Sequence, residues 1–265
     1  MRLLDDLASL LTTDRFGRTA RGFDTIGSTN AEAAAWAAGG APEGALVLAE
    51  YQEAGRGRLG RTWTADSGLN LTQSLVLRPT LPTDRLGLLP LAAGLAVAEA
   101  IGQVAGVPAR VKWPNDVLIG GRKACGLLAE AAHGKGQGGA VILGIGLNVN
   151  QRSFPPELAD RATSVALEAG RPIDRAALLA ALLAALESRY YALHAGDADA
   201  LVRAFEEKMD GVGREVTVRS PNTARSAIDG TIQGVAPDGA LRLETSDGER
   251  RLYAGEVTLA RPVAP

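Results

Sequence analysis

Cysteine and histidine are nearly missing from this chain. Its 265 residues hold one cysteine, Cys125, and two histidines, His133 and His194. A single thiol excludes an internal disulfide and fits a reducing compartment. Two histidines far apart in sequence, without ligand spacing, argue against a histidine-built metal site. An excess of one charge is lacking too. Lys and Arg number 28 against 30 Asp and Glu, a net charge of −2, which argues against a general nucleic-acid binder. No uncharged apolar run reaches the ~18 residues of a membrane span, and Met1 to Asp6 has no apolar core of the signal-peptide kind. The expected location is the cytoplasm, with no membrane partner. Hydrophobic content of 46% and charged content of 22% are those of a globule, and the length allows one large domain, or a large and a small one.

Against this plain background one stretch stands out. Glycine and arginine alternate in Gly55-Arg56-Gly57-Arg58-Leu59-Gly60-Arg61, with Trp63 just beyond. Glycine lets a backbone approach an anion closely, and arginine adds permanent charge in a planar fork that suits carboxylate and phosphate oxygens. The segment therefore reads as an anion site. Its Gly-x-Gly-x-x-Gly spacing matches the dinucleotide fingerprint, but that fingerprint needs a helix straight after the loop. Here Leu69 to Leu77 follows, and its alternation predicts a strand. The apolar run Ala45 to Glu50 in front predicts a buried strand.

In chain order, Ala31 to Ala38 reads as a helix stopped by Gly39 and Gly40, with Thr29 as N-cap and Glu32 completing a capping box. Ser28, Thr29 and Asn30 would then offer small polar groups at its start. Leu86 to Gln103 is apolar on most faces and reads as a buried helix with Pro90 near its beginning. Pro114 ends a strand near Lys112 or Trp113 and turns the chain at Asn115 and Asp116. Gly120-Gly121 predicts a hairpin joining Asp116–Ile119 to Arg122–Glu130, which brings Lys112, Asp116 and Lys123 together. Surface ion pairing is the plain account of those three taken alone. Ala140 to Asn150 reads as a buried strand on which Gly144 and Gly146 mark close approach by a ligand or by backbone. A long helix follows from Asp174 to His194, then a second from Ala198 to Met209. Short strands with Asp-Gly turns fill the end of the chain, as in a small β-barrel.

Together these segments resemble the biotin–protein ligases. The resemblance lies in Gly27–Asn30, Glu50–Arg61, Val111–Val117, Arg122–Glu130 and Leu143–Asn148, in that order along the chain. It implies an α+β fold: a mixed-sheet catalytic domain of the biotin/lipoate ligase type, residues 1–211, with a small C-terminal SH3-like β-barrel, residues 212–265. It implies an enzyme that uses ATP, biotin and Mg²⁺, makes biotinoyl-5′-AMP, and passes biotin to a lysine of the biotin carboxyl carrier domain of an acyl-CoA carboxylase. Carried over by motif, Ser28, Thr29, Asn30 and Gln52 would bond biotin's ureido end. Arg56, Gly57, Arg58 and Lys123 would meet its carboxylate and the adenylate phosphate. Trp63 would pack on adenine, Asn148 would bond its edge, and Lys112 and Asn115 would serve the nucleotide. Arg58, Lys112, Asp116 and Lys123 would form the catalytic group, Asp116 also serving the metal. The arginine loop is expected to stay mobile until ligand arrives.

The chain departs from the family pattern at Leu59, where a polar or basic residue is frequent, at Glu53, and at Ala124-Cys125. Only about 23 residues precede the first motif, too few for a helix-turn-helix domain, so a ligase that does not bind DNA is expected. A strand edge could pair two copies into a homodimer or be capped, and the sequence leaves both open. Two other readings compete: a lipoate or octanoate ligase or transferase, and a non-catalytic sensor of biotin or its adenylate.

Overall fold

The computed structural model describes residues 2–132, 139–219 and 227–259. A first helix, α1 (Arg2–Leu10), precedes strand β1 (Ala20–Ile26), helix α2 (Thr29–Ala38) and strand β2 (Leu46–Gln52). Next come β3 (Leu71–Leu77), α3 (Leu88–Ala105), β4 (Arg110–Lys112), β5 (Asp116–Ile119), β6 (Arg122–Ala132) and β7 (Ala140–Leu147). Helices α4 (Val165–Ala169), α5 (Arg175–His194) and α6 (Ala198–Lys208) lead to β8 (Glu215–Arg219), β9 (Ala227–Val235), β10 (Leu241–Thr245), β11 (Gly248–Leu252) and β12 (Glu256–Leu259).

The first seven strands make one mixed sheet in the order β1-β2-β3-β7-β6-β5-β4. Only β1 and β2 run parallel, because α2 carries the chain back between them; the other pairs are antiparallel. On one face lie α3 and α5. Helix α3 is apolar all round and buried along most of its length. Pro90 sits in its first turn, where a missing N–H breaks no helical bond. On α5, the expected stripe of Leu178, Leu182, Leu186 and Tyr190 is wholly buried. Asp174 caps α5 by accepting from the amides of Ala176 and Ala177, worth about 1 kcal/mol. Each fully buried leucine adds roughly 1.5–3 kcal/mol. Both α3 and α5 are long and apolar enough to cross a membrane, yet most of each such stretch is buried inside the fold.

On the other face α2 packs Ala33 and Ala37 against Val47, Val76 and Ile142. The cleft described below opens beside α2. Strand β3 is buried at every residue; the alternation in its sequence marks two covered faces rather than one wet face. The Gly120-Gly121 hairpin forms as expected, with both glycines at positive φ.

The last five strands form an antiparallel sheet in the order β11-β10-β9-β8-β12, of the SH3-like type. Trp113 ties it to the large sheet by donating its indole N–H to the Gly239 carbonyl at 3.0 Å. Glu206 of α6 accepts from the Val235 amide at 2.8 Å. His133 and most of the expected 135–139 loop lie outside the described residues.

Candidate active site

The arginine segment is a small hairpin. Trp63 N–H donates to the Gly55 carbonyl, Gly57 N–H donates to the Arg61 carbonyl, and Arg56 pairs with Thr62. A Cβ at position 55 would overlap the Trp63 carbonyl, so only glycine closes this pair. At the tip, Leu59 (φ 59°, ψ 33°) and Gly60 (φ 73°) have the signs of a type I′ turn. Each arginine around the tip has its own acceptor. Arg56 pairs with Glu130 at 3.0 Å, Arg58 donates to Asn115 Oδ1 at 2.9 Å, and Arg61 pairs with Glu256 of β12. Repulsion among these closely spaced guanidinium groups is thus offset within the fold. Burial lowers the Arg58 pKa from its ordinary value, with Asp116 opposing the shift and Arg61 adding to it.

Behind the hairpin, β6 and β7 place two glycines face to face, Gly126 opposite Gly146. The Trp63 ring lies on them: a Cβ at Gly146 would fall inside the indole, and one at Gly126 would meet both Trp63 and Lys123. Lys123 Nζ stands 5.8 Å from the Trp63 ring centre and 2.7 Å from Asp116 Oδ1. That contact has ion-pair distance without hydrogen-bond angles, so the buried Asp116 Oδ1 has no directional partner. The Trp63 indole N–H is also buried and unpartnered.

At the other end of the cleft the N-terminus of α2 supplies a polar row. The helix is capped at Ser28, whose side chain makes no capping bond, so the expected Thr29–Glu32 box does not form. The reason is competition from distant strands. Thr29 gives its N–H to Gln52 Oε1 at 2.7 Å, and its hydroxyl lies 3.0 Å from that oxygen and 2.8 Å from Ser74 Oγ. Asn30 accepts from Ser74 at 2.5 Å and donates to Glu130 at 2.7 Å. Its amide presses on Gly144, where a Cβ would overlap it. Both close approaches flagged by Gly144 and Gly146 are therefore side chains of the site itself.

These groups line one open cleft. Ten of the expected site residues line it: Ser28, Thr29, Asn30, Gln52, Arg56, Gly57, Arg58, Trp63, Asn115 and Lys123. Three do not. Asp116 stands behind Lys123. Lys112, directly opposite Asp116 in the β4–β5 ladder, lines a separate crevice with Met209 and Val257 against the C-terminal sheet. Asn148 is buried just past β7 and spends its amide on the Thr163 carbonyl at 3.0 Å.

The chain is similar to known proteins in sequence and in fold. A family model described as "Biotin/lipoate A/B protein ligase family" fits residues 23–148, and one described as "Biotin protein ligase C terminal domain" fits residues 211–259. The bifunctional ligase/repressor BirA of Bacillus subtilis is 38% identical over 253 residues, 94% of this chain and 76% of that protein. The biotin–[acetyl-CoA-carboxylase] ligase of Mycobacterium tuberculosis is 35% identical over 240 residues, covering 89% and 86%. The chain belongs to the biotin protein ligase family. Among solved structures, the biotin protein ligase of Aquifex aeolicus in complex with biotin and ATP superposes with a TM-score of 0.80 at 31% identity, over 92% of this chain and 99% of that one.

Within this biotin protein ligase fold, the sequence reasoning missed Thr72 and Gln73, which line the cleft, and two groups that hold its lining, Ser74 and Glu130. Ser74 is one small hydroxyl in an apolar strand, and Glu130 closes a motif whose lysine drew the attention. Each acts across 44 residues or more, so no local spacing announces it. Cys125 is fully buried and burial pushes its thiol well above the ordinary range, with Lys123 opposing. It is a packing residue, as its apolar strand suggests.

Proposed function

We propose that this chain is an ATP-dependent biotin–protein ligase that works in two steps. In the first, the biotin carboxylate attacks the α-phosphorus of ATP, the bond to the β-phosphate breaks, and pyrophosphate leaves. In the second, the ε-amine of a carrier lysine attacks the acyl carbon of biotinoyl-5′-AMP, and AMP leaves. What carries this reading is the composition of one cleft: neutral hydrogen-bonding groups at the α2 end, and Arg56, Arg58 and Lys123 around an indole at the other. The neutral row suits a ureido group. The cations suit a carboxylate that must meet a polyphosphate, and they would stabilise the extra charge at phosphorus. Arg58 is partly desolvated, which strengthens its field on that charge.

Trp63 offers a flat face for adenine, and Asn115 holds Arg58 in place. Asp116 would hold Mg²⁺ beside the cleft, on condition that Lys123 Nζ, now 2.7 Å from its Oδ1, turns to the phosphates. A magnesium ion usually takes one or two protein carboxylates beside the phosphates, where it would neutralise phosphate charge. Among the described residues no cluster of three His, Cys, Asp or Glu side chains could hold a metal unaided. Lys112 would serve the nucleotide from the crevice beside the C-terminal sheet, with the catalytic part ending near residue 211. The partner is a biotin carboxyl carrier domain of an acyl-CoA carboxylase, in the cytoplasm; the name of the Mycobacterium tuberculosis relative, a biotin–[acetyl-CoA-carboxylase] ligase, supports that partner.

Pyrophosphate release without any carrier tests the first step. The wild-type chain should release close to one equivalent per cleft in a burst that needs biotin. Lys123→Ala should abolish the burst. Arg58→Gly should instead convert it to steady release as the adenylate escapes. A wild-type protein that binds biotin but shows no burst would be a sensor, and the ligase reading would fall.

A further inference from the structure

We propose that Glu130 is a positioning residue that locks the polar row and the arginine hairpin into one unit. This rests on the reading that the cleft takes biotin. A single oxygen, Glu130 Oε2, accepts from Asn30 Nδ2 at 2.7 Å and from Arg56 Nη2 at 3.0 Å. Asn30 is buried on α2 and lines the cleft, whereas Arg56 is half exposed on the hairpin. Glu130 itself stands near the end of β6, paired with Ile142 of the central strand β7.

Two consequences follow from that shared oxygen. The carboxylate can only accept, so the Asn30 amide must turn its NH₂ toward Glu130 and its carbonyl toward Ser74, which donates to it at 2.5 Å. Gly144, lacking a Cβ, lets the same amide lie close against the β7 backbone. One Nδ2 hydrogen then remains for a ligand. Gln52 is oriented likewise, because its Oε1 is taken by the Thr29 N–H. The row therefore offers amide donors, which suits a ligand carbonyl.

The second consequence concerns the hairpin. Arg56 has five N–H donors in a fixed fork. Glu130 takes one and leaves the others for a carboxylate or phosphate. An isolated exposed ion pair of this kind would count for little. Here the same oxygen orders a buried amide, so loss of Glu130 releases both ends of the cleft together. Setting the amide of Asn30 and the guanidinium of Arg56 becomes one event, and filling the row would favour a closed hairpin.

A double-mutant cycle on biotin affinity tests this, with binding measured by calorimetry on wild type, Glu130→Ala, Arg56→Ala and the double variant. Glu130→Ala should weaken biotin about tenfold, Arg56→Ala by a similar factor, and the double variant by little more than either. The half-life of bound adenylate should shorten in Glu130→Ala as the hairpin loosens. Glu130→Gln keeps the shape and one acceptor oxygen, so it should restore part of the affinity; it also guards against a general folding defect. Melting temperatures should stay close to wild type, because the carboxylate is partly exposed. Affinity within twofold of wild type in Glu130→Ala, or single effects that multiply in the double variant, would overturn the proposal. Failure of the wild-type protein to bind biotin would overturn the function reading instead.

Discussion

An alanine at Gly144 would drive its methyl into the Asn30 amide oxygen, far inside the 3.0 Å that real Cβ atoms keep. The amide would have to retreat by about 1 Å, a displacement that can by itself cost 10²-fold in a positioned site. Two hydrogen bonds now stand at 2.5 and 2.7 Å, to Ser74 and to Glu130, and neither survives such a shift. A neutral bond is worth about 1 kcal/mol and one to a charged group about 1.5–3 kcal/mol. Together they hold the amide in place with about 3 kcal/mol, and the misplaced donor accounts for a loss of roughly a hundredfold in affinity. Gly146→Ala makes the matching perturbation on the other substrate, since its methyl would fall inside the Trp63 indole. Neither glycine has positive φ, so the strand backbone accepts alanine and the effect falls on the side chain opposite. Biotin affinity by calorimetry without nucleotide should drop about a hundredfold in Gly144→Ala and stay within threefold in Gly146→Ala. The KM for ATP, from pyrophosphate release, should rise mainly in Gly146→Ala. Equal losses of both substrates in both variants would refute the division of the cleft into a polar end and an indole end.

Other expectations come from the same geometry. Leu59 holds a left-handed conformation that costs an L-residue about 1–2 kcal/mol, and Asn-Gly is the preferred pair in a type I′ turn. Leu59→Asn should therefore stabilise the hairpin by about 1 kcal/mol and slow proteolysis within residues 55–63 about fivefold; faster cleavage would count against the turn. Gln73 lines the cleft from the strand face it shares with Leu71 and Leu75, and both its amide atoms are buried without partners within the fold. Gln73→Met should raise the melting temperature by a few degrees, from about 1–2 kcal/mol. A lower melting temperature would contradict this, and lost biotin binding at unchanged stability would show that a ligand takes up the amide. Glu256 is held below the ordinary glutamate value of 4.5, first by its hydrogen bond to Arg61, with burial opposing. A carboxyl depressed in the folded state stabilises above that ordinary value and loses its contribution as pH falls through the lowered one. The stability difference between wild type and Glu256→Gln should stay flat from pH 6 to 8 and shrink below about pH 4.5; a difference that grows in acid would reverse the sign.

Much of the scaffold was legible because local chemistry dictated it. Asp174 and the four-residue stripe behind it specify α5, and Gly120-Gly121 specifies the tight hairpin that presents Asn115, Asp116 and Lys123. Gly144 and Gly146 were legible as points of close approach, though not what approaches. The failures share one cause, which is competition over long range. Thr29 has the spacing of an N-cap, but Gln52 and Ser74, from strands 23 and 45 residues away, take its groups, and Ser28 caps instead. The arginine segment reads as an open loop because glycine and charge dominate it. Its pairing depends on the fit of Gly55 under the Trp63 carbonyl and on acceptors from β6, the β4–β5 turn and β12. Strand β1 has no strong period, and its place is set by β2. Helix α1 does have one, with Leu3 and Leu7 a turn apart and buried, and was missed because its residues were weighed only as a signal peptide. Lys112 and Asn148 carry the right motif letters yet stand outside the main cleft, one toward the C-terminal sheet and the other tied to the Thr163 carbonyl.

The central claim is that this cleft activates biotin and passes it to a protein lysine. Incubating the purified chain with MgATP, a biotin carrier domain, and biotin or lipoate, then weighing the carrier by mass spectrometry, tests it most directly. The account predicts a gain of one biotinyl group that requires ATP and vanishes when the carrier lysine is replaced. A lipoyl adduct on a lipoyl domain without any biotin adduct, or biotin binding without any adduct, would contradict it.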